Sequence, residues 1–154
     1  MTEGAAADFQ ELLNMKAGDA VRPPAKPSGT YRVLVKENQM TKSPQKGTPG
    51  VKFTFTDWSP TADVDVDAWE VYLKSPVVDE DTITMEDTFY LTKKAMFLLK
   101  EFCKACGAEG DDSTPMGKLV ADAMQQRVLI KVSQSVGKDG VSVYNNIDGY
   151  AKDE

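Results

Sequence analysis

Histidine is absent from the 154 residues, and only two cysteines occur. The first absence removes the usual general base near neutral pH and the commonest zinc ligand. The second leaves too few thiols for a four-ligand zinc site. No Gly-Lys-Ser/Thr phosphate loop and no nucleophile elbow is present. No apolar run approaches the roughly 20 residues of a membrane span. The opening Met-Thr-Glu-Gly-Ala-Ala-Ala-Asp lacks the basic start and apolar centre of a secretory signal. The expectation is an intracellular chain with no catalytic residues, no metal, no cofactor and no membrane contact.

The cysteines lie three apart in Cys103-Lys-Ala-Cys106. A redox pair wants a helix start, where the dipole lowers the thiol pKa. These fall at the end of a predicted helix and on its apolar face, so buried structural thiols are expected.

Hydrophobic residues at 41% and charged residues at 27% fit one ordinary globular domain. The net charge of -6 hides a strong asymmetry. From Arg22 to Lys52 there are seven basic residues against Glu37 alone, whereas from Phe53 to Thr92 there are ten acids against Lys74 alone. Within the acidic half, Asp63-Val-Asp-Val-Asp67 lacks the glycine and the spaced glutamate of a calcium loop, so a solvated loop is expected.

The longest periodic stretch runs from Leu91 to Gly107. Ala95, Leu98, Leu99, Phe102, Cys103 and Cys106 share one face of a helix, with Thr92 suited to cap its start and Gly107 to end it. Lys93 and Lys94 then fall in the first turn, where positive charge opposes the helix dipole at about a few tenths of a kcal/mol. A phosphate contact would explain that placement, and so would chance. Before this helix, Tyr31, Val33 and Val35 alternate with Arg32, Leu34 and Lys36 in a first strand, and Thr41–Gly50 reads as a loop. Val51, Phe53 and Phe55 alternate with Lys52, Thr54 and Thr56 in a second strand, whose polar parity extends to Trp58. Trp69, Val71 and Leu73 alternate with Glu70, Tyr72 and Lys74 as a further strand or hairpin arm. Asp79-Glu-Asp81 reads as a turn, and Ile83 to Leu91 as a returning strand. After the helix, Thr114-Pro115 opens a second one carrying Met116, Leu119, Val120, Ala123 and Met124. Val128, Ile130 and Val132 form a strand, Gly137-Lys-Asp-Gly140 a hairpin turn, and Val141, Val143 and Ile147 the last strand.

Ahead of all this, residues 1–28 read as a helical arm over Ala5–Met15 followed by a proline-rich linker, able to dock in cis or to support self-association. Residues 29–150 form the domain and 151–154 a short acidic tail. Three strands, a helix, then a hairpin is the order of an OB-fold: a mainly β, five-stranded barrel with a helix between strands three and four. The hairpin arm and the second short helix are additions. An open α+β sandwich fits the same string less economically.

Three blocks carry a resemblance: Pro27-Ser-Gly-Thr-Tyr-Arg-Val, Lys46-Gly-Thr-Pro-Gly-Val-Lys-Phe and Phe89-Tyr-Leu-Thr-Lys-Lys-Ala-Met-Phe-Leu-Leu-Lys-Glu-Phe. Together they resemble a group of bacteriophage OB-fold proteins, long catalogued as a domain of unknown function and regarded as single-stranded-DNA-binding proteins. The resemblance spans Pro27 to Tyr150. It implies sequence-tolerant, non-enzymatic binding of single-stranded DNA in phage replication or recombination. It also implies phage replication or recombination proteins as partners, in the cytoplasm of an infected bacterial host cell.

Such binding needs cations along the phosphates and flat rings beneath the bases. An OB-fold offers them from its second and third strands and from the loops joining strands one to two and four to five. The candidate cations are Arg32, Lys36, Lys42, Lys46, Lys52 and Lys138, and the candidate rings are Trp58, Tyr72 and Tyr144. Against this stand the ordinary fates of such residues, rings packed inside and lysines merely solvated. The rival function is an OB-like module that binds a host or phage protein through its acidic face.

Overall fold

The computed structural model describes residues 13–14 and 23–153. Five strands, β1 (Gly29–Lys42), β2 (Pro49–Pro60), β3 (Met85–Tyr90), β4 (Arg127–Val136) and β5 (Val143–Lys152), form one antiparallel sheet in the order β3-β2-β1-β4-β5. That is the neighbour order of an OB-like barrel, nearly closed, with its seam between β3 and β5. Within residues 23–153, four helices accompany it: α1 (Val66–Lys74), α2 (Glu80–Ile83), α3 (Met96–Ala105) and α4 (Met116–Ala123). The arm expected over Ala5–Met15 lies outside the described residues apart from Leu13 and Asn14. Among the described residues, no helix is long and apolar enough to cross a membrane.

The inward parity of each strand builds the core. Tyr31, Val33, Val35, Phe53, Phe55, Val128 and Ile130 are fully buried. Helix α3 closes the seam with Leu99, Phe102 and Cys103. The Phe102 ring lies 4.7 Å from Phe53, 5.0 Å from Phe89 and 4.7 Å from Tyr150, so one side chain joins β2, β3 and β5. Tyr150 of β5 donates its hydroxyl proton to the Asp87 carboxylate of β3, a side-chain bond spanning the seam. Burial raises the pKa of both groups. It also pushes the thiols of Cys103 and Cys106 up to about 11 and about 12, as expected of structural cysteines rather than reactive ones.

Two irregularities redirect side chains. Val33 of β1 faces both Asp57 and Trp58 of β2, because pairing steps from Arg32↔Ser59 to Leu34↔Thr56. Asp57 takes a left-handed φ of 54° at this bulge. Lys36 is the extra residue of a second bulge, between Val35↔Phe55 and Glu37↔Thr54. Each inserts one residue and so flips the parity that follows.

The hairpin arm expected around Trp69 is instead helix α1. Asp65 caps it by accepting from the N–H groups of Asp67 (3.0 Å) and Ala68 (3.2 Å). Trp69 and Tyr72, three apart on one helical face, are the buried pair, with rings stacked 5.4 Å apart. Val71, which an alternating strand would bury with Trp69, is 71% exposed. The loop before α1 is not simply solvated either. Asp63 accepts from the backbone N–H and the hydroxyl of Thr30, which lowers its pKa, and Val64 is buried. The turn at Asp79–Asp81 is the start of α2, with Asp79 accepting from the Thr82 N–H. Helix α3 begins at Met96, later than expected. Thr92 accepts from the Ala95 N–H in the turn before it, and that turn holds Lys93 and Lys94. At the other end of the chain, β5 continues through Lys152 and Asp153 pairs with Arg32 at 2.8 Å, so the expected tail starts inside a strand.

Gly29 locks the loop before α1 onto β1. Its φ is 144°, and a Cβ there would sit 2.6 Å from Val64 Cγ2. Gly29→Ala is expected to cost on the order of 1–3 kcal/mol in a urea melt, from backbone strain and the clash together.

Candidate nucleic-acid interface

The β1–β2 ribbon outruns its neighbours. β4 pairs with β1 only over Gly29–Leu34, whereas β2 pairs with it from Tyr31 to Lys42. Beyond Leu34 this edge is met, among the described residues, by the Gln125–Gln126 backbone, by the Gln125 amide, which donates to the Lys36 carbonyl, and by Met124, whose sulfur accepts from the Asn38 amide. The ribbon ends in the loop Ser43–Thr48, closed by backbone bonds between Ser43 and its far side. Lys42 stands at the tip, Lys46 in the loop, and Lys52 three residues into β2. Lys42 and Lys46 are exposed, and neither belongs to an ion pair among the described residues. Lys52 pairs with Glu86 of β3 at 3.2 Å.

The end of β3 arrives at the same place. Tyr90 pairs with Gly50, and the Leu91 N–H donates to the Pro49 carbonyl at 2.8 Å. Tyr90 is 39% exposed, and its Cδ1 lies 3.2 Å from where a Cβ on Gly50 would be. The glycine therefore lets the Tyr90 ring lie across β2, on the outer face that also carries Lys52. Lys93 and Lys94 follow three and four residues later, both exposed and outside any ion pair among the described residues. By register, Lys42 starts on the ribbon face opposite Tyr90. Chain order thus brings Lys42, Lys46, Lys52, Lys93 and Lys94 to the same end of the barrel as the exposed Tyr90 ring.

The other expected residues do not join this cluster. Trp58 is turned inward by the Asp57 bulge, where its Nε1–H donates to the Phe55 carbonyl (2.9 Å) and its ring meets Tyr31 edge-on. Tyr72 is 4% exposed in the core. In this conformation Tyr72 is closed to a stacking base, and Trp58, half-buried, is packed against Tyr31. Arg32 is held by Asp153, and Lys36 sits in its bulge midway along β1. Lys138 belongs to the β4–β5 turn and Tyr144 to the start of β5, both past the Gly29 end of β1, whereas the loop with Lys46 lies past the Lys42 end. The whole length of β1 separates them. Lys42 and Lys52 therefore lie toward one end of the ribbon and Trp58 toward the other.

Tyr90 is the residue that sequence reasoning left out of the candidate site, while Lys93 and Lys94 are weighed there as a phosphate contact but not placed in it. The signal for Tyr90 was present: Phe89 is a core residue, so its neighbour on the strand must face outward. The role of Gly50 is invisible until β2 and β3 are placed in register.

No group of three or more Cys, Asp or Glu side chains able to hold a metal ion occurs among the described residues. A family model described as Protein of unknown function (DUF669) matches residues 14–154. No curated protein matches the chain.

Proposed function

We propose, for a chain that belongs to the DUF669 family, a non-enzymatic role: sequence-tolerant binding of single-stranded DNA at the barrel end built from the β1–β2 loop and the end of β3. The observation that carries the reading is the exposed Tyr90 ring lying over Gly50 on the face that carries Lys52, at the barrel end where the chain also brings Lys42, Lys46, Lys93 and Lys94. A base stacks on the ring while the ammonium groups follow the phosphates, and neither contact depends on base identity. The setting, phage DNA replication or recombination, rests on the resemblance of the three sequence blocks. The rival reading, a protein-docking acidic face, loses several of its acids to other duties. Asp63, Asp65 and Asp79 bond backbone N–H groups, and Asp87 bonds Tyr150.

The test is fluorescence anisotropy of labelled oligo-dT titrated with the protein at several salt concentrations. Binding that weakens steeply with salt, as counterion release requires, supports the reading. No binding at low salt removes it and favours the rival. Tyr90→Ala is expected to weaken binding by about 1–3 kcal/mol without changing the salt slope, since it removes stacking and no charge. Tyr72→Ala should instead lower the melting temperature and leave the affinity of the folded protein unchanged.

A further inference from the structure

Lys26 is the one buried charged residue among the described residues, at 3% exposed. It lies in the segment Pro23–Ser28, which crosses the barrel between two open clefts of about 400 and 480 Å³. Its Nζ sits 4.7 Å from the centre of the Trp58 ring and 5.8 Å from that of Tyr72. No carboxylate pairs with it among the described residues. The backbone is held as well. The Lys26 N–H donates to Asn145 Oδ1 (2.9 Å), and its carbonyl accepts from Gln134 Nε2 (2.7 Å) and Asn145 Nδ2 (3.0 Å). The Tyr31 hydroxyl donates to the Pro27 carbonyl. Every other residue of the segment is exposed or only half-buried. Three prolines remove backbone donors that might have fastened it further.

The grip therefore consists of a few hydrogen bonds and one side chain, and that side chain is the costly part. An ammonium leaves water for a site with aromatic faces but no counter-ion among the described residues, and the faces return only part of the lost hydration. We propose that Pro23–Ser28 is a releasable strap, held more tightly when Lys26 loses its proton and more loosely when it is protonated, and that its release bares the faces of Trp58 and Tyr72. Burial lowers the Lys26 pKa from 10.5 to about 8, whereas a released Lys26 in water keeps its ordinary value. Between those two values the released state binds more protons than the seated one. Release becomes harder there as pH rises, by up to about tenfold per pH unit. The groups facing the ammonium do not blur this. Burial raises the pKa of Tyr72 from α1 and of Tyr31 from β1, which favours their neutral forms. Asp63, beside Tyr31, is held low by Thr30 and stays charged, while Gln134 and Asn145 from β4 and β5 do not titrate. Asp67 of α1 lines one of the flanking clefts with Pro24.

Hydrogen exchange at the backbone amide of residue 26, corrected for intrinsic rate, reads strap opening in the full chain. The amide of Val33 in the barrel core reads global unfolding alongside it. Opening in the unmodified protein is expected to fall about twentyfold from pH 7.5 to pH 9.5. Lys26→Met should open less at pH 7.5 and show no such slope. Gln134→Ala, which keeps both the lysine and the acceptor of the residue 26 amide, should open several-fold more and keep the slope. A slope that persists in Lys26→Met, or is missing from both the unmodified protein and Gln134→Ala, overturns the proton linkage. Opening at residue 26 that equals opening at Val33 at every pH overturns the strap, because the segment would then leave only when the barrel unfolds.

Discussion

Reversing Lys42, Lys46, Lys93 and Lys94 to glutamate together is expected to weaken oligo-dT binding by on the order of a hundredfold at low salt. It should also flatten the log–log salt slope by about 3, since each phosphate contact on a single strand contributes about 0.7. These four lysines are exposed and outside any ion pair among the described residues, so their loss costs the fold little. Reversing Arg32 and Lys138 provides the contrast. Arg32 is occupied by Asp153, and Lys138 stands past the other end of β1. That double variant is expected to bind almost as the unmodified protein does, with the same slope. If the two sets weaken binding equally, attraction comes from overall charge rather than from a site.

The second large effect concerns the fold. Phe102→Ala is expected to destabilise the domain by about 3–5 kcal/mol and lower its melting temperature by roughly 10–20 °C. Phe102 is 1% exposed, and its ring touches those of Phe53, Phe55, Phe89 and Tyr150. Its removal leaves a cavity where β3 and β5 share no backbone ladder, so little else draws them together. Leu98 is on the same helix but 50% exposed, and Leu98→Ala should cost less than about 1 kcal/mol. Differential scanning calorimetry of the two variants separates a helix that plugs the seam from one that merely rests on it.

Much of this architecture could be read from residue patterns alone. Strict alternation at Tyr31–Val35, Val51–Phe55 and Val128–Val132 marks strands buried on one face, and all nine of those apolar positions are core. The face with Leu99, Phe102, Cys103 and Cys106 marks α3 in the same way, although Leu98, expected on that face, is 50% exposed. The reading failed where two periods fit one string. Trp69, Val71 and Leu73 alternate like a strand, yet Trp69 and Tyr72 also lie three apart, and the cap supplied by Asp65 decides for the helix.

The site was legible only in part, for a related reason. Lysine clustering in the first half of the chain points to the β1–β2 loop without any coordinates. Ring placement does not follow from parity once a bulge intervenes. A single left-handed residue, Asp57, moves Trp58 from the outer face to the inner one. Nothing in the local sequence requires that conformation at an aspartate. Tyr90 depends in turn on a glycine forty residues away, a relation that only strand register creates.

Photocrosslinking a bromodeoxyuridine-substituted oligo-dT to the protein, followed by peptide mass spectrometry, asks most directly where a single strand lies. The account predicts the main crosslink on Tyr90 or in the adjoining stretch through Lys94. A main crosslink at Trp58, Tyr144 or the β4–β5 turn, with Tyr90 unmodified, would contradict it.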